Sequence, residues 1–218
     1  MNLDVFFLID TSGSMTGRPL EFLNNSIKNS IDDLFKDQKA KEKIRISIQT
    51  FNTKTYKTNE LQALKSLSEN FKTLGIAEGI TNTGEALSTI LNEINSTIEK
   101  YHINDFQFKK PLLFLITDGI PTDITTFNET IKTINFTNIN KVCCGINVGG
   151  DISAFKSFSN KLILIDCTYR DSKSDLSQII SKTILNFLNS DDNNIENTGI
   201  FNPHNPITPN LTEIIELI

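Results

Sequence analysis

Histidine is nearly absent from this sequence. His102 and His204 are the only two in 218 residues, and neither stands beside other chemistry-bearing residues. A histidine general base or a histidine-rich metal cluster is therefore not suggested. Cysteine is scarce as well. Cys143, Cys144 and Cys167 make an odd count without zinc-type spacing. This excludes a disulfide framework and fits reduced core thiols in a cytoplasmic protein. Positive charge is not in excess. Lys and Arg number 21 against 26 Asp and Glu, for a net charge of −5, which argues against a nucleic-acid surface. No apolar run approaches the ~18–20 residues that cross a bilayer, so no membrane partner is expected. Met1-Asn2-Leu3-Asp4 has no basic n-region, and no signal peptide is expected.

What is present is an ordinary globular composition, 38% hydrophobic and 22% charged, in a length suited to one domain. Leu3–Ile9 is a mostly apolar run and reads as a buried strand. Leu20, Leu23, Ile27, Ile31 and Leu34 then recur at helical spacing, with Pro19 tolerated at the helix start. Ile44–Phe51 and Thr53–Leu61 read as an antiparallel edge hairpin. The glycine-rich Gly75–Gly84 stretch reads as a loop, followed by a helix through Ala86, Leu87, Ile90, Leu91, Ile94, Ile98 and Tyr101. Leu112–Thr117 is the most apolar strand. A helix over Ile124–Ile134, a strand over Ile139–Val148, a short helix over Ile152–Phe158, a strand over Leu162–Cys167 and a final helix through Leu176–Leu188 complete the pattern. Alternating strands and helices predict an α/β fold, a doubly wound, mainly parallel six-stranded sheet with one antiparallel edge strand and helices on both faces. Residues 1–190 form the domain. Residues 191–218, rich in Asn, Asp and Pro at first, read as a flexible tail. Its end, Leu211–Ile218, reads as a short C-terminal helix or an added strand.

Two central strands end in aspartates, Asp10 and Asp118. In such a sheet, ligands gather at the carboxyl ends of the strands. Asp10, Ser12 and Ser14 are short oxygen-bearing side chains at alternate positions, which point the same way in an extended turn. Such donors suit a hard divalent ion, Mg²⁺ or Mn²⁺. Only Asp10 and Asp118 carry charge, so the ion stays electron-poor and open to an outside carboxylate. Each element alone has an ordinary explanation: serines and threonines cap helices, and Asp-Gly makes turns.

Three stretches together are specific: Asp10-Thr11-Ser12-Gly13-Ser14-Met15, Gly79-Ile80-Thr81-Asn82-Thr83-Gly84-Glu85-Ala86-Leu87, and Leu115-Ile116-Thr117-Asp118-Gly119. They resemble the von Willebrand factor type A domain and its metal-ion-dependent adhesion site over about residues 3–189. The resemblance implies a Rossmann-like fold and metal ligands at Asp10, Ser12, Ser14, Thr81 and Asp118. It implies Mg²⁺, with Mn²⁺ or Ca²⁺ as alternatives, bridging to a Glu or Asp of a partner protein. A narrower similarity joins Leu8–Leu20 and Thr117–Asp123 to compact intracellular bacterial members of tellurium-resistance and stress clusters. Phosphatase or kinase-like proteins of the same cluster are the partners it implies.

The sequence is thus expected to be a non-enzymatic binding module. Two other readings stay open: a Mg²⁺-dependent phosphohydrolase, which needs a second acid where Ser12 stands, and a scaffold whose metal site goes unused. In the tail, Glu213 and Glu216 are candidates to offer a carboxylate to another molecule.

Overall fold

The computed structural model describes residues 1–134, 139–148, 152–159, 161–167, 172–190 and 213–216. Strand β1 (Leu3–Asp10) leads through a 3-10 turn at Gly13–Met15 into α1 (Arg18–Leu34), then α2 (Gln38–Lys43), β2 (Ile44–Phe51) and β3 (Thr55–Ala63). After α3 (Leu64–Asn70) and a loop come α4 (Thr83–Ile103), β4 (Leu112–Thr117) and α5 (Ile124–Ile134). Strand β5 (Asn140–Ile146), α6 (Ser153–Phe158), β6 (Lys161–Ile165), α7 (Ser172–Asn189) and β7 (Glu213–Glu216) follow. The sheet order is β3-β2-β1-β4-β5-β6-β7. The inner strands are parallel, and β3 runs antiparallel to β2.

Every residue of β1 and β4 is buried, Asp4 and Asp10 included, as expected of mostly apolar strands covered by helices on both faces. Alternate β1 side chains divide between two cores. Val5, Phe7 and Ile9 pack with α1 and α7, while Phe6 and Leu8 pack with α4, α5 and α6. Phe7 stacks on Phe114 at 5.0 Å across the first core. The predicted stripe of α1 is the buried one: Leu20, Leu23, Ile27, Ile31 and Leu34. The helix opens at Gly17, whose φ of 79° places it in the region that glycine occupies without strain.

The six expected strands are present in the expected arrangement. The tail corrects one expectation. Glu213–Glu216 form a seventh strand, antiparallel to β6 with Leu162 opposite Ile215 and Ile163 opposite Ile214, where a short helix was expected and an added strand was the other reading. An edge strand carries unpaired backbone groups that a further strand satisfies, whereas an isolated helix this short cannot repay its nucleation. Expectations for residues 191–212 lie outside the described residues. Helices α2 and α3 were not expected; the first buries only Ala40 and is capped by the Asp37 side chain, which accepts from the Ala40 N–H at 2.8 Å. Helix α4 runs two residues past the predicted stripe, through His102 to Ile103.

Candidate functional site

Strands β1 and β4 are parallel neighbours with Ile9 opposite Ile116, so Asp10 and Thr117 close the same end of the sheet. The chain leaves β1 for α1 on one face and leaves β4 for α5 on the other. This is a topological switch point, where a crevice opens above the strand ends.

Asp10 is fully buried. One carboxylate oxygen accepts from the Ser12 N–H at 2.7 Å, and the other accepts from the Thr117 hydroxyl at 2.6 Å. The hydroxyls of Ser12 and Ser14 lie 3.2 Å apart. Ser14 Oγ donates to Asp118 Oδ1 at 2.9 Å. Thr81 reaches the site on a loop held by backbone bonds: Gly13 N–H to Gly79 O at 3.0 Å, Glu78 N–H to Thr11 O at 2.9 Å, and Thr122 N–H to Thr81 O at 2.9 Å. A Cβ on Gly119 would sit 3.6 Å from Thr81 Oγ1, which places that hydroxyl against the Asp118 loop. Gly79 is held to glycine twice over: its φ is +73°, and a Cβ there would come within 2.4 Å of Thr53 Oγ1. All five residues singled out from the sequence therefore stand together.

Burial pushes the Asp10 carboxyl up to about 6, against the hydrogen bonds from Thr117 and Ser12, and the Asp118 charge adds to the rise. Asp118 is also raised by burial, with the Ser14 hydroxyl pulling it back. Neither carboxylate has an ion-pair partner among the described residues. One buried and one half-buried carboxylate side by side repel each other. The donor set fits a small hard cation. Neighbouring ligands of an octahedral ion at ~2.1 Å lie about 3.0 Å apart, close to the 3.2 Å and 2.9 Å separations here. Carboxylates and hydroxyls are oxygen donors only, and no group of three or more His, Cys, Asp or Glu placed to hold a metal ion occurs among the described residues. That chemistry favours Mg²⁺ or Mn²⁺ over softer ions.

The profile of the von Willebrand factor type A domain matches residues 4–199. The chain belongs to this family. Its members often mediate protein binding and carry metal sites. Solved structures agree in fold with this von Willebrand A chain. The von Willebrand factor type A protein from Catenulispora acidiphila superposes with a TM-score of 0.63 at 15% identity, covering 84% of this chain and 42% of that one. The von Willebrand domain of the type V pilus tip protein Mfa5 from Porphyromonas gingivalis gives 0.62 at 11% identity, covering 84% and 96%. The pilus adhesin SpaC from Lactobacillus rhamnosus GG gives 0.64 at 13% identity, covering 86% and 30%. The chain thus spans less than half the length of the first and third. No curated protein matches it.

Two residues of this von Willebrand A site were not singled out by sequence reasoning. Thr117 orients Asp10, and its oxygen also accepts the Gly119 N–H at 3.2 Å. Asp123 caps α4 from the following loop, accepting the Gly84 and Glu85 N–H groups at 3.0 and 2.9 Å. It thereby ties the Asp118 loop to the helix that follows Thr81. The signal was present in Thr117–Asp123, but only the strand register shows which donors these side chains meet.

Proposed function

We propose that this chain is a metal-dependent protein-binding module. Asp10, Ser12, Ser14, Thr81 and Asp118 hold one Mg²⁺ (Mn²⁺ or Ca²⁺ as substitutes), and a Glu or Asp of a partner protein completes its shell. The bound ion supplies a positive centre open to an outside carboxylate. The observation that carries this reading is a buried carboxylate, Asp10, and a half-buried one, Asp118, with no ion-pair partner among the described residues and with hydroxyls between them at octahedral-edge spacing. A binding role is favoured over catalysis because Ser12 stands where a phosphohydrolase needs its second acid. His102 is also remote: it packs on Phe108, whose neighbour across an isolated bridge is Asn2, at the other end of β1.

The buried free thiols Cys143, Cys144 and Cys167 suit a reducing, cytoplasmic compartment. The similarity of Leu8–Leu20 and Thr117–Asp123 to tellurium-resistance proteins supports a phosphatase or kinase-like protein of a stress cluster as the partner. Calorimetric titration with Mg²⁺, Mn²⁺ and Ca²⁺ tests the metal reading. Saturable binding that disappears in Asp10→Asn and Asp118→Asn is the expected result. Identical titrations of those variants and the natural protein would overturn it.

A further inference from the structure

We infer that the face around the metal site selects a single acidic residue flanked by aliphatic side chains, rather than an acidic run; this rests on the metal-site reading above. The observation is the placement of exposed isoleucines. Ile76, Ile80, Ile120 and Ile124 are 82%, 52%, 51% and 58% exposed. They make up half of the large hydrophobics exposed among the described residues, and all four lie on the segments that flank Thr81 and Asp118 in the chain. Ile80 directly precedes Thr81, and Ile120 follows Asp118-Gly119. Ile76 sits on the loop whose Ala77 carbonyl accepts from Thr16. Ile124 begins α5 and continues the stripe of Phe127, Ile131 and Ile134 past the end of the core that buries them.

Scattered exposed aliphatics are ordinary, but a group of them around a polar centre marks an interaction surface. The backbone of the loops that carry Ile80 and Ile120 is also held in place. The Ile80 N–H donates to Thr53 Oγ1 at 3.2 Å, and the loops carrying Ile80 and Ile120 are tied by the bonds from Thr122 to the Thr81 carbonyl at 2.9 Å. A partner pays little to order them.

Charge decides what the flanks of the ligand must be. The three stretches, residues 11–17, 75–83 and 118–124, contain no lysine or arginine; the cations that border them are Arg18, at the start of α1, and Lys54, next to the Thr53 that bonds Ile80. Their charged residues are Glu78, Asp118 and Asp123. Outside the ion itself, nothing on these loops attracts a second acid, and Glu78 repels one. A ligand with one carboxylate for the ion and aliphatic neighbours for the isoleucines matches the face at every point; a polyacidic one does not. The occupant is thus a partner-protein segment with Glu or Asp set between aliphatic residues.

The test uses three synthetic peptides in a common Gly-Ser background, with centres Leu-Glu-Ile, Ser-Glu-Ser and Glu-Glu-Glu. Their affinities for the full chain are measured in saturating Mg²⁺ and in EDTA. The expected result is Mg²⁺-dependent binding, tightest for Leu-Glu-Ile by about ten-fold over both others. That preference should be lost in the pair Ile80→Ser with Ile120→Ser, and weakened in the pair Ile76→Ser with Ile124→Ser, whose positions stand farther along the chain from the ligand residues. Equal Mg²⁺-dependent affinities, or a Glu-Glu-Glu peptide that binds tightest, would overturn the inference and leave the metal reading standing. Absence of any Mg²⁺-dependent peptide binding would overturn both. Dimerisation driven by Mg²⁺ alone would assign the face to a second copy and overturn the partner proposed here.

Discussion

Strand β1 carries a buried aspartate at each end, and the two are treated in opposite ways. Asp4 receives the Arg45 guanidinium through two bonds, at 2.9 and 2.8 Å, and the Tyr101 hydroxyl at 2.5 Å. Asp10 receives a threonine hydroxyl and a backbone N–H, with a second carboxylate as its charged neighbour. Burial raises both carboxyls, but at Asp4 the guanidinium pulls back, whereas at Asp10 the neutral donors leave the value up at about 6. One strand end is thus neutralised from within the fold. The other holds an uncompensated negative charge, which is what a cation site requires and a structural site avoids.

The largest test of this contrast removes each partner in turn. Arg45→Met leaves Asp4 buried without its counter-charge, and should cost about 3–5 kcal/mol in urea unfolding. Asp10→Asn removes a charge that nothing in the chain compensates, and should leave the metal-free protein at pH 7 as stable as before or more so. Equal losses in the two variants would erase the distinction between the strand ends.

Acidity sharpens it next. The Asp10 carboxyl is raised in the folded chain from 3.8 to about 6, so the folded state holds that proton more tightly than the unfolded state does. Its stabilising contribution is fully present below about pH 4 and is lost as pH rises through 6. A rise of about two units corresponds to about 3 kcal/mol. In EDTA, the stability of the natural protein relative to Asp10→Asn should fall by that order between pH 4 and 7. A flat difference would mean that the site is solvated well enough to ionise freely.

The contrast also shows what the residues reveal before they fold. The apolar runs of β1 and β4 and the stripes of α1 and α4 are set by burial period, which is local, and they were legible. The candidate site was legible only from its three stretches together: Asp10, Ser12, Ser14 and Asp118 stand at strand ends, and Thr81 was named through the family resemblance. The Asp4–Arg45–Tyr101 cluster was not legible. It depends on the register that puts Asp4 opposite Arg45 and on where α4 ends. Thr117 and Asp123 were missed for the same reason: their hydrogen bonds cross between segments. Helices α2 and α3 bury one and two residues, too few to impose a period, and β7 owes its form to the edge it joins.

Mg²⁺ should act on one end alone. At a hundred times its dissociation constant the ion adds about 2.7 kcal/mol of stability by mass action, read as a rise in the denaturant midpoint. Asp10→Asn and Asp118→Asn should abolish that gain, and Arg45→Met should retain it. A gain that survives in Asp10→Asn would place the ion elsewhere.

The smallest effects compare one hydroxyl at each end. Tyr101→Phe removes a donor to Asp4 but keeps the ring, which packs on Phe108 at 4.8 Å beneath the Arg45 guanidinium. The loss is one hydrogen bond to a charged group that Arg45 still holds, so roughly 1.5 kcal/mol of stability is expected, with Mg²⁺ affinity unchanged. Thr117→Val removes the donor that aims Asp10. A residue that only orients a ligand shows itself in the binding constant, and a weakening of about 10–100-fold in Mg²⁺ affinity is expected. If instead Tyr101→Phe shifted Mg²⁺ affinity as much as Thr117→Val did, β1 would be transmitting strain along its length, and its two aspartates could no longer be treated as independent.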